Sequence, residues 1–534
     1  MYMYKRGIGV ISSMILTTVI TITVPMGIAQ ACTDSFNTDE LKQKNTHMIN
    51  TSTDFENSTT NNLKTNQTSA LKTSPSASRK QDTHTDHIAV SLIEFPNMKH
   101  NQIKQKKDLY TKDFNKEHYD SMLFKNGIFQ TPEGVNMPSM NQFYNEQSGG
   151  FWNVKGVISP WMQAKNNIEY YRDFKGDGPF EGFGELVKET LTQVGQSIKG
   201  NENLYDQRDL GFLDTLVVVM AGATADMYVT PYSGELKEPV QIPGTTLKAK
   251  KYIVVPEDVP VGVIAHEYGH NLGLPDLYDF GGKGSPDMWS LMAFGGLNGQ
   301  IEGIEPSSFD PWSKMFLQST YGGNWIKPIE LDYNDLEQKK EILLEEAVSK
   351  DPSRKVIKVN LPPVMKDGIK YPNYYLIEWR SHNGSDKGLS KSMGVSSDPG
   401  MIVWYYDGRY TDNAEATHPG HNMLGVIDAH QQILYLNHDK SKPAMSRFQN
   451  ADAAFGLRKT TPVKLETPQG NLDYPSQEGV STFNDQNDYT GKILPKLGLQ
   501  FKVIKENEDG RGATIEVSKH KEEDSGVNIV KNGK

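Results

Sequence analysis

Residues 266–276 read His-Glu-Tyr-Gly-His-Asn-Leu-Gly-Leu-Pro-Asp. Two histidines four positions apart on a helix share a face about one turn apart, so His266 and His270 can each present an imidazole nitrogen to one metal ion. Glu267 lies between them without being spaced as a ligand, and is placed to take a proton from a zinc-bound water. This spacing predicts a zinc site that carries its own general base, with hydrolysis of a peptide bond as its first use. In a chain of this composition a chance His-Glu-x-x-His is expected roughly one time in fifty; adding Gly273 and an acidic residue at 276 lowers that below about one in a thousand.

Working outward, Val259–Leu272 contains Val263, Ile264 and Ala265 and no proline after Pro260. That reads as a helix stopped at Gly273, where a glycine lets the backbone turn sharply. Such a turn returns Asp276 toward the metal as third ligand and leaves the fourth position for water, as catalytic zinc requires. The other large class of His-Glu-x-x-His peptidases takes a glutamate about twenty residues downstream. Here no glutamate occurs between Asn271 and Ile301, and the competitors of Asp276 are Asp279, Asp287 and the more distant Glu305. Sixteen residues past Asp276 lies Met292, at the centre of the span Ser290-Leu291-Met292-Ala293-Phe294, with Met288 a weaker alternative centre. It resembles the Met-turn of the metzincins, an apolar floor beneath the metal.

A wider resemblance follows from other blocks. Residues 86–96 (Asp-His-Ile-Ala-Val-Ser-Leu-Ile-Glu-Phe-Pro), 142–150 (Gln-Phe-Tyr-Asn-Glu-Gln-Ser-Gly-Gly), Leu277-Tyr278-Asp279 after the metal motif, and Asp310-Pro311-Trp312-Ser313-Lys314 are similar to the immune inhibitor A family of secreted bacterial metallopeptidases. Tyr374–Arg380, Gly400–Tyr405 and His418–His430 extend the likeness, which spans about residues 86–518. The resemblance implies a metzincin-like catalytic domain, one catalytic Zn2+ and protein or peptide substrates. Many members carry further β-rich domains, and this chain ends soon after Ala513–Val517, so their accessory binding functions are not expected. The family also tends to have an Asp-rich, calcium-like loop before the strand that precedes the active-site helix. The corresponding stretch here offers Asp206, Asp209 and Asp214 together with Arg208. Calcium takes six to eight oxygen ligands, so these three aspartates are either part of a Ca2+ site or a polar turn.

The N-terminus bears on compartment. Lys5 and Arg6 precede an uncharged stretch from Gly7 to Ala31 that ends in Ala29-Gln30-Ala31, the form of a secretory signal peptide over 1–31. Cys32, the single cysteine, follows the cleavage pattern. Plain secretion is expected, because Ala29 stands where a lipoprotein signal usually has a large aliphatic residue; a lipid anchor on Cys32 is the alternative. Residues 32–85 are Ser-, Thr-, Asn- and Lys-rich and should not fold alone, as expected of either a linker or, as the family suggests, a pro-segment that keeps a zymogen latent.

The remainder reads as an α+β chain: strands at Ile88–Phe95, Phe151–Ser159 and Leu213–Ala221, a helix at Gly182–Lys199, the active-site helix following, and another helix at Ser307–Gln318. This gives a mixed-sheet catalytic domain over 86–335. Short strands at Lys355–Leu361, Tyr374–Trp379, Met401–Tyr406, Leu424–Ile427, Leu499–Ile504 and Ala513–Val517 make a β-rich lower portion over 336–520, with a substrate cleft expected between the halves and a polar tail over 521–534. A net charge of −10 without a basic stripe argues against nucleic acid. His382, His418, His421, His430, Tyr405 and Tyr406 are read as structural before catalytic. Rival functions are a zinc hydrolase of a non-peptide amide and a non-catalytic secreted binding protein; the intact Glu267 disfavours the latter.

Overall fold

The computed structural model describes residues 83–103, 109–173, 181–224, 230–279, 285–392, 394–414, 416–467 and 469–519. The expected signal peptide, Cys32, the polar segment up to residue 82 and the tail after 519 lie outside them. The described residues form two compact units: the first takes those up to Asp276 and Trp289–Trp325, the second Leu277–Met288 and most of those from Ile326.

The first unit is built on a mixed sheet. Its main strands are β1 (His84–Glu94), β2 (Trp152–Ile158), β3 (Leu216–Met220), β4 (Tyr232–Gln241) and β5 (Lys248–Pro256), in the order β2-β1-β3-β5-β4. All neighbours are parallel except β4, which runs antiparallel to β5 and forms an edge. The apolar run Leu-Val-Val-Val-Met is β3, every residue of it buried. Parallel strands covered on both faces need such continuous apolarity. Leu216, Val218 and Met220 meet Phe183, Leu186, Val187, Leu191, Val194 and Ile198 of helix α2 (Glu181–Ile198) in one core cluster. Those helical positions recur at a spacing of three to four, one face of a helix. Each fully buried Val or Leu contributes about 1.5–3 kcal/mol.

Helix α1 (Met140–Gln147), capped by Ser139, whose side chain accepts from Gln142 N, packs against β2. Helix α3 (Val261–Asn271) carries the metal motif and packs on β4 and β5. The strand and helix expectations hold to within a few residues, with three differences. First, β1 begins at His84, because His84 and Thr85 already pair with Trp152 and Asn153. Second, α3 does not follow the central strand directly: β4 and β5 intervene. Third, α4 (Pro311–Tyr321) starts four residues later than expected, after Asp310 caps it and Pro311 opens its first turn; Ser307 and Ser308 are buried lead-in.

The second unit is β-rich. A five-stranded sheet (Leu424–Val426, Gly400–Asp407, Asn373–Arg380, Val356–Asn360, Ile329–Asp332) and a four-stranded antiparallel sheet (Lys340–Glu345, Gly512–Lys519, Leu499–Glu506, Thr482–Asn484) share one apolar core. Tyr375, Ile377, Val403, Phe483, Phe501 and Ile515 lie in it. Among the described residues no helix is long and apolar enough to cross a membrane.

Candidate metal centre

Two glycines set the local path of the motif. Gly269, between the histidines, lets the chain following α3 come close: a Cβ there would stand 2.6 Å from Met292 Sδ. Gly273 adopts φ 100°, in the left-handed region that favours glycine. Gly273 N donates to His270 O at 2.9 Å and Leu274 N to Gly269 O at 3.1 Å, closing the helix. The turn sends the chain back past its own C-terminus and returns Asp276 to the histidines. His266 Nε2 and His270 Nε2 are 3.0 Å apart, and Asp276 Oδ1 is 3.2 Å from the first and 3.1 Å from the second.

This triangle fits a zinc ion. Tetrahedral bonds of about 2.0–2.1 Å separate neighbouring ligand atoms by about 3.3 Å. Both imidazoles are oriented by backbone: His266 Nδ1 donates to Leu291 O at 2.8 Å and His270 Nδ1 to Leu274 O at 2.8 Å. Each ring thereby turns Nε2 inward with its lone pair available, the usual arrangement behind a ligating histidine. Glu267 is 1 % exposed, and no side chain donates a hydrogen bond to its carboxylate oxygens among the described residues; the backbone of Ser233 is the polar group that faces it. A buried carboxylate in that condition needs a nearby positive charge or a proton.

The electrostatics describe the same cluster without a cation. Burial alone would depress the His270 imidazole, but the Asp276 carboxylate, by charge and by hydrogen bond, lifts it to about 9. Burial would raise Asp276, yet the two imidazoles hold its carboxyl well below the usual range. Glu267 is pushed upward by burial, with His270 and His266 offsetting part of the rise.

The Met-turn lies within the same unit. Met292 is fully buried, and Ser290 organises the turn: its Oγ accepts from Met292 N at 3.1 Å and its carbonyl from Ala293 N and Gly295 N at 3.0 and 2.9 Å. Ser290 Oγ in turn donates to Asp310 Oδ2 at 2.7 Å, and Asp310 Oδ1 caps α4 through Ser313 N at 2.8 Å. From behind, Tyr144 of α1 donates to Ala265 O at 2.8 Å, and Gln147 Oε1 accepts from Phe309 N at 3.0 Å. The blocks at 142–150 and 310–314 therefore serve as scaffolding for the metal motif.

Other expected residues fall elsewhere. Asp206, Asp209 and Asp214 do not converge as a ligand set among the described residues. Asp206 accepts from Leu210 N and Gly211 N, while Asp214 accepts from Gln207 N and from Arg208 Nε at 2.9 Å, so their carboxylates organise a turn. Asp287 accepts from Asn450 Nδ2 at 2.8 Å. Tyr406 stacks on Tyr374 with ring centroids 4.5 Å apart, and Tyr405 packs on Tyr375. Met288 is buried in the second unit beside Ser397. What sequence reasoning missed are the carbonyls of Leu291 and Leu274, which leave no side-chain signal, and the role of Asp310, whose signal was an Asp-Pro helix start.

Comparison with known proteins adds an independent line. Residues 74–214 and 223–326 match the family described as the immune inhibitor A peptidase M6, catalytic domain, and residues 369–515 match the immune inhibitor A-like metallopeptidase, VEG domain. Immune inhibitor A of Bacillus thuringiensis subsp. alesti is 28% identical over 645 aligned positions, taking in 81% of this chain and 93% of that protein. The pre-pro-metalloprotease PrtV of Vibrio cholerae serotype O1 (strain M66-2) is 25% identical over 641 positions, taking in 82% of this chain and 70% of that protein.

Proposed function

This chain belongs to the immune inhibitor A-like metallopeptidases, and from that membership we propose that it is a secreted zinc endopeptidase whose metal is held by His266, His270 and Asp276 and whose general base is Glu267. The observation that carries this reading is the triangle of Nε2, Nε2 and Oδ1 atoms 3.0–3.2 Å on a side. When bound there, zinc supplies a Lewis acid that lowers the pKa of water toward neutrality and polarises the scissile carbonyl. Glu267 would take a proton from the attacking water and pass it to the leaving amine, the role of a positioned general base and acid; burial raises its carboxyl, opposed by His270 and His266. Leu291 O and Leu274 O hold the two imidazoles in the ligating tautomer, and Met292 packs against Gly269 beneath them.

The same reading assigns residues 1–31 to a secretory signal and 32–85 to a pro-segment, supported by the basic start, the apolar run and the Ala29-Gln30-Ala31 pattern. It places the catalytic domain over 86–335 and the β-rich portion over 336–520.

Digestion of a denatured protein mixture by the zinc-loaded chain freed of residues 33–85, read by mass spectrometry, tests it. Internal cleavages should appear, vanish with a zinc chelator, and fall by roughly 10^2- to 10^4-fold in Glu267→Gln, which should keep its zinc. Near-native activity in Glu267→Gln removes the glutamate from its role. Absence of cleavage by the zinc-loaded wild type favours a hydrolase of non-peptide amides. His270→Ala should lose zinc on dialysis.

A further inference from the structure

Apart from the set on α3, the described residues contain one more place where three ligating side chains converge: Asp428, His430 and Asp452, in the β-rich unit. One ring nitrogen of His430 and one carboxylate oxygen of each aspartate lie within 4.8 Å of one another. Asp428 is 2 % exposed and follows the strand Leu424–Val426; Asp452 comes from the loop after the short helix Ser446–Gln449. Asp428 Oδ1 accepts the His430 backbone N–H at 2.9 Å, which seats the carboxylate against the residue that bears the ring.

A second observation concerns the ring itself. His430 Nδ1 is 2.7 Å from Asp452 O, and Nε2 is 3.4 Å from Glu478 O. A neutral imidazole has one N–H for its two nitrogens. With the proton on Nδ1, donated to Asp452 O, Nε2 keeps its lone pair on the more exposed side of the ring, where a metal ion can take it up, and a carboxylate oxygen of Asp428 and of Asp452 stands within 4.8 Å of a ring nitrogen.

We propose that Asp428, His430 and Asp452 form a second metal site, a structural one, taking a divalent transition-metal ion such as Zn2+ or Mn2+. The donor set selects the class: calcium and magnesium take oxygen ligands, whereas a mixed set of imidazole and carboxylates suits zinc or manganese. Nδ1 donating to a backbone carbonyl is also the device that orients His266 and His270. The site serves a stretch that has little regular structure to hold it. Between the strands Leu424–Val426 and Val463–Thr467 the described residues form the turn Leu436–His438, the one-turn helix Ser446–Gln449 and isolated bridges at Tyr435–Pro443 and Phe455. An ion joining residues 428, 430 and 452 ties the ends of this stretch together, closing a loop whose ordering otherwise costs conformational entropy.

The test is metal content per chain, measured by mass spectrometry of the metals on the full secreted protein after dialysis against Zn2+ or Mn2+ and then metal-free buffer. Wild type should retain about two ions, and His430→Ala and Asp452→Asn should each retain one, with cleavage activity kept. His270→Ala should lose the other ion and keep this one, so failure at either site is read separately. Equal metal content in wild type and His430→Ala overturns the proposal. Should both variants fail to fold, anomalous diffraction from wild-type crystals grown with Zn2+ decides: a peak bonded to His430 and Asp428 supports the site, and its absence rejects it.

Discussion

At the scale of single residues, the active-site helix carries a second polar connection that its metal motif does not announce. Tyr268, between Glu267 and His270, donates from its hydroxyl to Asp86 of β1 and accepts from Trp152 Nε1 at 3.2 Å. Asp86 is 5 % exposed, and burial lifts its carboxyl from 3.8 to about 6, opposed by the Tyr268 hydrogen bond; Asp214 adds to the rise and Arg208 opposes it. That rise corresponds to roughly 3 kcal/mol held against the charged form, as an upper bound. The folded chain binds this proton more tightly than the unfolded chain. Its contribution to stability therefore declines as pH rises from about 4 to about 6, and the cost is complete above that. Asp86→Asn keeps an acceptor for Tyr268 and removes the charge, so it should raise Tm at pH 8 and give little gain near pH 4. Thermal melts of both proteins across this range check it; a variant no more stable than wild type at pH 8 would sink the assignment.

At the scale of elements, the candidate metal site is a junction of α3, the turn around Met292 and α4. Asp310 joins the last two by accepting from Ser290 Oγ, Ser313 Oγ and Ser313 N, and it is fully buried. Asp310→Ala removes a helix cap and strands two buried hydroxyls, a loss of about 2–4 kcal/mol. Because Ser290 sets the turn that presents Leu291 O to His266, the variant should also bind zinc more weakly. Chemical denaturation and a zinc titration read the two effects; full stability with unchanged zinc affinity would show that Asp310 is dispensable to the turn. The elements themselves were unequally legible. The run Leu216–Met220 and the spacing of α2 announce themselves, since burial on both faces or on one stripe dictates the pattern. The β4–β5 pair went unread because β4 is an edge: Tyr-Ser-Gly-Glu-Leu-Lys-Glu-Pro-Val-Gln buries only Tyr232 and Leu236, and edge strands tolerate charge and proline.

For the molecule as a whole, metal and protons would compete at the proposed zinc site. In the absence of a cation His270 is held protonated up to about 9, whereas a metal ion requires the neutral ring. Zinc affinity should therefore climb with pH until about 9, and zinc uptake near neutrality should release protons, seen as heats that depend on the buffer in calorimetry. Heats independent of the buffer would place the proton elsewhere. In the metal-free chain the His270–Asp276 pairing stabilises fully below the unfolded histidine value of 6.5 and is lost as pH passes about 9.

By itself the sequence announced the proposed ligand types, the helix that carries two of them, the proposed base between them and the mixed α+β character, because these rest on local spacing and on the period of burial. Tertiary structure decided three further matters. Spacing left Asp276 in competition with Asp279, Asp287 and Glu305; the turn at Gly273 brought Asp276 Oδ1 to within 3.2 Å of both imidazoles. The carbonyls that fix the imidazoles belong to Leu291 and Leu274, and every residue has a carbonyl, so no side chain could mark them in advance. Asp206, Asp209 and Asp214 read as either part of a calcium site or a polar turn; in the fold the carboxylates of Asp206 and Asp214 accept from backbone N–H groups and Arg208. Which partner a polar side chain meets depends on chain segments far away in sequence, and only the packed structure brings those segments together.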